Sequence, residues 1–283
     1  MPERAVQGGE AAFPLDKHIL SYHWDDFEPH LTIYDRAARK VDELPLDRLA
    51  LAVGGERTCV GRFDEHGYRP CPADRRVGRF ETCQACAAPW IPVLDCVFEP
   101  QCNGDRCDHP EFCVRRHLVY LASFGNLIKV GMTSASRLRE RAIEQGADAV
   151  RPIFECRDRR EARTLEKETS RRFKIPQEIR ISRVARTWTG RPSKEAMQHV
   201  HEHYLDRIGR WRQPVEAELT FLDAYPLRTM PRSPPQAART EGVHRGEVLG
   251  VKGRFMIYRD DRTGRSMLLN LSDLPARNVA VLE

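Results

Sequence analysis

Eight of the nine cysteines in this chain fall between Cys59 and Cys113, in a stretch rich in glycine, proline and charge and poor in helical or strand periodicity. Too few apolar side chains lie there to order the backbone by burial alone, so the segment needs an external staple. The nature of that staple depends on the compartment. The opening residues, MPERAVQGGEAAFPLDKHIL, contain no basic leader followed by an apolar stretch, and no apolar run approaches the roughly 20 residues that span a bilayer. A cytoplasmic protein with no membrane partner is therefore expected. Cytosolic reductants keep thiols reduced, which argues against a disulfide framework and makes metal ligation the leading reading of the cysteines.

Cys83 and Cys86 form a close pair in TCQAC, and Cys59 and Cys71 precede them with eleven residues between successive sites. Zinc takes four nitrogen or sulfur ligands in a tetrahedron; a close pair supplies two from one turn, and distant ligands close the chain around the ion. Cys96, Cys102, Cys107 and Cys113 follow at gaps of five, four and five residues, with His109 and His117 among them as substitutes. A second zinc site is expected here, its ligand grouping left open. A shell of four cysteines keeps no open coordination position, so the expected zinc is structural. The plainer alternative is that these cysteines are small buried hydrophobes.

At 283 residues the chain exceeds the usual size of a single core. Three regions of an α+β protein are expected. Residues 1–116 form an N-terminal β and zinc-binding Cys-rich region, residues 117–212 a core with its following helix, and residues 213–283 a C-terminal β-rich domain, read as a small β-barrel or sheet. In the core, strand-like Leu118-Val-Tyr-Leu-Ala-Ser123, a Phe-Gly-Asn turn and Leu127-Ile-Lys-Val-Gly131 make a hairpin. Thr133, Ser134 or Ser136 can cap a helix running to Gly146, and Pro152–Cys156 is a third strand, with Cys156 in its core. Asp158 and Glu161 have capping-box spacing before a second helix ending near Phe173. Residues 193–210 read as a further amphipathic helix with Met197, Val200, Tyr204 and Ile208 on one stripe. On it, His199 and His203 share a face, as a surface feature rather than a metal pair.

The net charge of +5 is modest, but residues 129–174 hold thirteen Lys and Arg against eight Asp and Glu, a surplus equal to that of the whole chain. Concentrated base of this kind points to a nucleic-acid partner, DNA or RNA. The second core helix places Ala162, Leu165, Glu166, Thr169 and Phe173 on one stripe. A carboxylate beside an apolar face is costly unless a cation, a metal or hydrogen-bond donors satisfy it, so Glu166 is a site candidate, with pairing to Arg163 as the structural alternative.

Val119-Tyr120-Leu121 on the first core strand, Lys129-Val130-Gly131-Met132-Thr133 on the second, Arg137 after it and Glu166 on the later helix together resemble the GIY-YIG nuclease superfamily, over residues 117–174. The Lys-Val-Gly-Met-Thr string is closest to its KIGxT-like variant, and the three regions together resemble an uncharacterised Cys-rich microbial family. The resemblance implies a ββαβα core acting as an endonuclease: Glu166 would hold Mg²⁺ or Mn²⁺, Tyr120 would help activate water, and Arg137 would neutralise charge on the phosphoryl oxygens. Lys129 occupies the motif's aromatic position and can bind phosphate but cannot copy a neutral phenol. Beside the nuclease stand two other readings, a non-catalytic module recognising nucleic acid or protein, and a purely structural zinc protein. In those readings Tyr120 is a core tyrosine and Arg137, with Arg139 and Arg141, a solvated face.

Overall fold

In the computed structural model, which describes residues 5–8, 11–87, 113–190 and 193–282, the N-terminal apolar runs become strands β1 (Ala5–Gly8), β2 (Ala11–Pro14), β3 (Lys17–Asp25), β4 (Glu28–Asp35), β5 (Lys40–Glu43) and β6 (Arg48–Arg57). Two short strands follow, β7 (Arg62–Asp64) and β8 (Gly67–Arg69). The middle of the chain forms β9 (His117–Phe124), β10 (Leu127–Ser134), α1 (Leu138–Gln145), β11 (Ala149–Cys156), α2 (Arg159–Phe173), the single turn α3 (Ile181–Val184), α4 (Lys194–Gly209) and β12 (Thr220–Phe221). The C-terminal strands are β13 (Gln236–Ala237), β14 (Gly242–Lys252), β15 (Phe255–Asp260), β16 (Ser266–Asn270) and β17 (Arg277–Val281).

The chain divides into two compact units, one discontinuous (residues 1–92 with 226–283) and one central (residues 93–225). This differs from the expected division at 116 and 212, because N-terminal and C-terminal strands share a sheet. Its order is β13-β16-β15-β14-β6-β17-β3-β4-β5, so β6 lies between two C-terminal strands and β17 between two N-terminal ones. The sequence of β6 explains the interleaving. Leu49, Leu51, Ala52 and Val53 are all buried, and a strand so apolar cannot be left at an edge with unpaired backbone groups. The sheet is open, ending at β13 and β5, and the barrel alternative for the C-terminal strands is not realised. Where β14 meets β15, a Cβ at Gly246 would stand 1.9 Å from the Arg259 carbonyl oxygen, so the two strands close there only over a glycine.

The central unit follows the expected order of strand, strand, helix, strand, helix, with β10-β9-β11-β12 as an antiparallel sheet. Helix α2 starts on its predicted cap: the Asp158 carboxylate accepts the Glu161 N–H at 2.8 Å, and Glu161 reaches back to the Arg157 N–H at 3.1 Å. Helix α1 ends on Gly146 in the left-handed conformation. Its start differs from expectation. No side chain caps it; a 3₁₀ turn over Ala135–Arg137 leads in, and such a turn takes up N–H groups that a cap would otherwise serve.

Strand register sorts the faces of this sheet. Gly131 lies opposite Tyr120 and Lys129 opposite Ala122, so these four share one face. Val119, Leu121, Ile128 and Val130 occupy the other face, packed with Ala162, Leu165 and Phe173 of α2 and Ile208 of α4. The stripe read on α2 is buried throughout: Ala162, Leu165, Glu166, Thr169 and Phe173. On α4 the buried positions are Met197, His201 and Ile208, with Val200 and Tyr204 partly covered, while His199 and His203 are exposed. Among the described residues no helix is long and apolar enough to cross a membrane.

Candidate metal centre and the central unit

Cys59 lies two residues past the end of β6, and the β7–β8 hairpin carries the chain out and back to Cys71. The return is tight. Gly61 has φ +78°, and a Cβ there would meet the Arg69 carbonyl oxygen at 2.2 Å, so only glycine turns the chain behind Cys59. Cys83 and Cys86 sit on one turn, with the Cys86 and Ala87 N–H groups bonded to the Cys83 carbonyl at 3.0 and 2.8 Å. The loop is fastened to the sheet by Thr58 N–H to Ala276 O at 2.7 Å and Val77 N–H to Arg57 O at 3.1 Å.

These turns bring the four sulfurs of Cys59, Cys71, Cys83 and Cys86 within 4.8 Å of one another, with Cys71 and Cys83 4.0 Å apart. All four are free thiols. Backbone N–H groups point at the sulfurs, Gly61 and Cys83 at Cys59 Sγ (3.4 and 3.1 Å). Burial drives the Cys59 and Cys86 thiols up, the latter with help from its sulfur neighbours. At Cys71 burial works against ionisation, yet the Arg75 and Ala73 N–H groups and the adjoining thiols bring it down to about 7. Four thiolates this close cannot all be charged without a cation among them, and the set could hold a metal ion. Four protein sulfurs would complete a tetrahedral shell.

Three members of the second expected quartet, Cys96, Cys102 and Cys107, and the substitute His109, lie outside the described residues. Cys113 is half-buried and its carbonyl accepts the Arg159 N–H at 3.1 Å. The other substitute, His117, is buried with Nδ1 on the Arg115 carbonyl oxygen at 2.6 Å.

Residues 47–274, which include both the four cysteines and the central unit, match the model of a family described as a protein of unknown function, DUF2797. The chain belongs to the DUF2797 family. No curated protein and no solved structure matches it.

In this DUF2797 chain the residues expected to form a nuclease site are distributed as follows. Tyr120 is buried, its ring seated against Gly131, where a Cβ would come within 2.7 Å of the phenol. Its hydroxyl donates to Gln145 of α1 at 3.2 Å, and burial pushes its pKa up to about 12. Lys129 shares that face of the sheet. Arg137 is exposed and bound to two carboxylates, Glu140 at 2.7 Å and Glu144 at 2.8 Å, while Arg141 also pairs with Glu144. Glu166 belongs to α2, which packs on the opposite face, and its carboxylate is buried in an ion pair with Arg163 at 2.5 Å. Burial raises the Glu166 pKa, and Arg163 and then Lys129 pull it back. Among the described residues the four cysteines are the one set of three or more candidate metal ligands; Glu166 joins no such set.

Two features of the central unit escaped sequence reading. At the C-terminal ends of α2 and α4, guanidinium groups lie over aromatic rings: Arg172 over Trp211 (5.0 Å), Arg212 over Phe154 (5.5 Å) and Arg207 over Phe173 (5.7 Å). Trp211 meets Phe154 edge to ring at 5.9 Å and Phe173 at a tilt at 5.8 Å. Arg172 falls in the basic segment read from the sequence, but Arg207 and Arg212 lie outside it, and the strand residue Phe154 is brought to Trp211 only by folding. The second is His201, between His199 and His203 in sequence, which falls on the buried stripe four residues after Met197. That spacing was the signal available.

Proposed function

We propose that this is a zinc-stabilised protein that binds nucleic acid through its central unit. The zinc part rests on the four-sulfur set: with zinc–sulfur bonds of about 2.3 Å, a tetrahedron has edges of about 3.8 Å, close to the 4.0 Å between Cys71 and Cys83. The nucleic-acid part rests on the cluster of Arg172, Arg207 and Arg212 over Trp211, Phe154 and Phe173. A guanidinium stacked on a ring has its plane fixed while its edge N–H groups still face solvent, the presentation that suits phosphate oxygens. Arg212 shares its charge with Glu161 at 3.9 Å, while Arg137 and Arg141 spend theirs on Glu140 and Glu144.

Cleavage has weaker support than binding. The element order favours the GIY-YIG-like reading of the core. Tyr120 and Glu166 nevertheless each hold a partner within the protein, one with its hydroxyl on Gln145 and the other with its carboxylate on Arg163. A Mg²⁺- or Mn²⁺-dependent reaction would require Glu166 to leave Arg163.

Binding to labelled single- and double-stranded DNA and RNA tests the proposal. Affinity should fall with salt as condensed counterions are released. Arg172→Glu with Arg207→Glu should weaken it by about tenfold or more, a loss of about 1.4 kcal/mol or more. The same reversal at Arg137 should do less. Affinity that is flat with ionic strength, or unmoved by the Arg172 and Arg207 changes in a folded variant, overturns the reading. In the same tubes, divalent-metal-dependent cleavage that disappears in Glu166→Gln would establish the nuclease.

A further inference from the structure

Arg151 stands in β11 opposite Leu121, on the sheet face covered by α2 and α4. It is half-buried with its Nε shut off from solvent, and among the described residues no hydrogen bond or ion pair reaches its side chain. Other arginines of this unit are matched, Arg163 by Glu166 and Arg137 by Glu140 and Glu144. The neighbouring His201 is fully buried. Its Nε2 meets Ser123 Oγ at 2.8 Å, and among the described residues its Nδ1 has no partner. Burial, reinforced by the Arg151 charge, takes the imidazole pKa down to about 4, so His201 is neutral and offers Arg151 no repulsion at neutral pH.

A cavity of about 400 Å³ opens beside Arg151, between β11, the last turn of α4 and residues 213–216. The Val215 N–H, bonded to Ile153 O at 2.9 Å, pins that segment along β11. Two carboxylates line the wall. Asp206 is taken by Arg210 at 2.7 Å, and Glu216 makes no ion pair among the described residues. A desolvated guanidinium donor without an acceptor costs free energy in the empty protein, and that cost is recovered when an acceptor arrives with a ligand.

We propose that this cavity binds a phosphoryl group, held by Arg151. A guanidinium fork is matched in geometry and charge by phosphate oxygens, and the cleft opens to solvent, which leaves room for the group the phosphate is attached to. The site shares no residue with the arginine–aromatic cluster and does not depend on the nucleic-acid reading.

Calorimetric titration of the full chain with inorganic phosphate, with acetate as the carboxylate control, tests it. Saturable phosphate binding is expected, with acetate at least tenfold weaker. A 5′-phosphorylated nucleoside binding more tightly than phosphate would identify a phosphate ester as the ligand, and equal affinity would identify the free ion; each supports the site. Arg151→Met should lose phosphate binding by tenfold or more and, in phosphate-free buffer, melt no lower than the wild type, because an uncompensated charge has gone. Arg151→Lys keeps the charge without the fork and should also bind less tightly. Absence of saturable binding, equal binding of acetate, or full affinity in the Arg151→Lys protein would overturn the proposal. An Arg151→Met protein that melts well below the wild type would show that Arg151 is a structural residue.

Discussion

Strong chelation is expected to strip zinc from the protein and unfold the loop from Thr58 to Ala87. Native mass spectrometry should count one to two zinc ions per chain before chelation, and hydrogen exchange should show amides across this loop losing protection afterwards. The expected effect is large because only a few backbone bonds, such as Thr58 N–H to Ala276 O and Val77 N–H to Arg57 O, tie the segment to the sheet. Its side chains are mostly exposed or half-buried, and its internal bonds are a few turns and the three-residue β7–β8 pair. A structural zinc site contributes about 10 kcal/mol or more at neutral pH, comparable to the stability of a whole domain. Cys83→Ser separates this site from the remaining cysteines, since it removes one ligand here and should lower the zinc count by one. Less than half an equivalent of transition metal in protein purified without chelators would sink the idea, as would an exchange pattern that chelation leaves unchanged.

How much of this was legible in the sequence depended on the range of the interaction. The TCQAC pair and the two even gaps before it announced a four-sulfur set because ligands to one ion must converge whatever the intervening chain does. The buried stripe of α2, its Asp158 cap and the glycine ending α1 are set by contacts within a few residues, and they were read correctly. Strand pairing between distant segments was not. β6 and β14 are individually recognisable, but nothing local states that β14 and β17 flank β6, so the terminal regions were read as separate domains when they form one unit. The face on which each candidate residue lies was likewise hidden. Tyr120 and Glu166 belong to motifs with suggestive spacing, yet the partners that hold them, Gln145 and Arg163, follow from register and packing, which only the folded chain displays.

The buried pair of Glu166 and Arg163 carries the second large expectation. Glu166 is 5% exposed on the core-facing stripe of α2, and the Arg163 guanidinium, three residues earlier, is its ion-pair partner. Replacing Arg163 by Met leaves a carboxylate in the core without its counterion, a loss expected to cost about 3 kcal/mol or more. The pH dependence fixes the cause. Burial already raises the folded-state pKa of Glu166 above its ordinary value of 4.5, so its ionisation weakens the native state as pH rises through that range. Without Arg163 the folded pKa rises further. The stability difference between variant and wild type should therefore be largest at neutral pH and shrink as pH falls toward 4.5, where Glu166 takes up its proton in both folded and unfolded chains. Urea unfolding followed by exchange of α2 amides measures this at each pH, and groups common to both proteins cancel in the difference. Adding Glu166→Gln to Arg163→Met removes the stranded charge and should restore most of the loss. A difference that does not vary with pH, or a double variant no more stable than the single one, would show that Arg163 contributes through the packing of its side chain rather than through its charge.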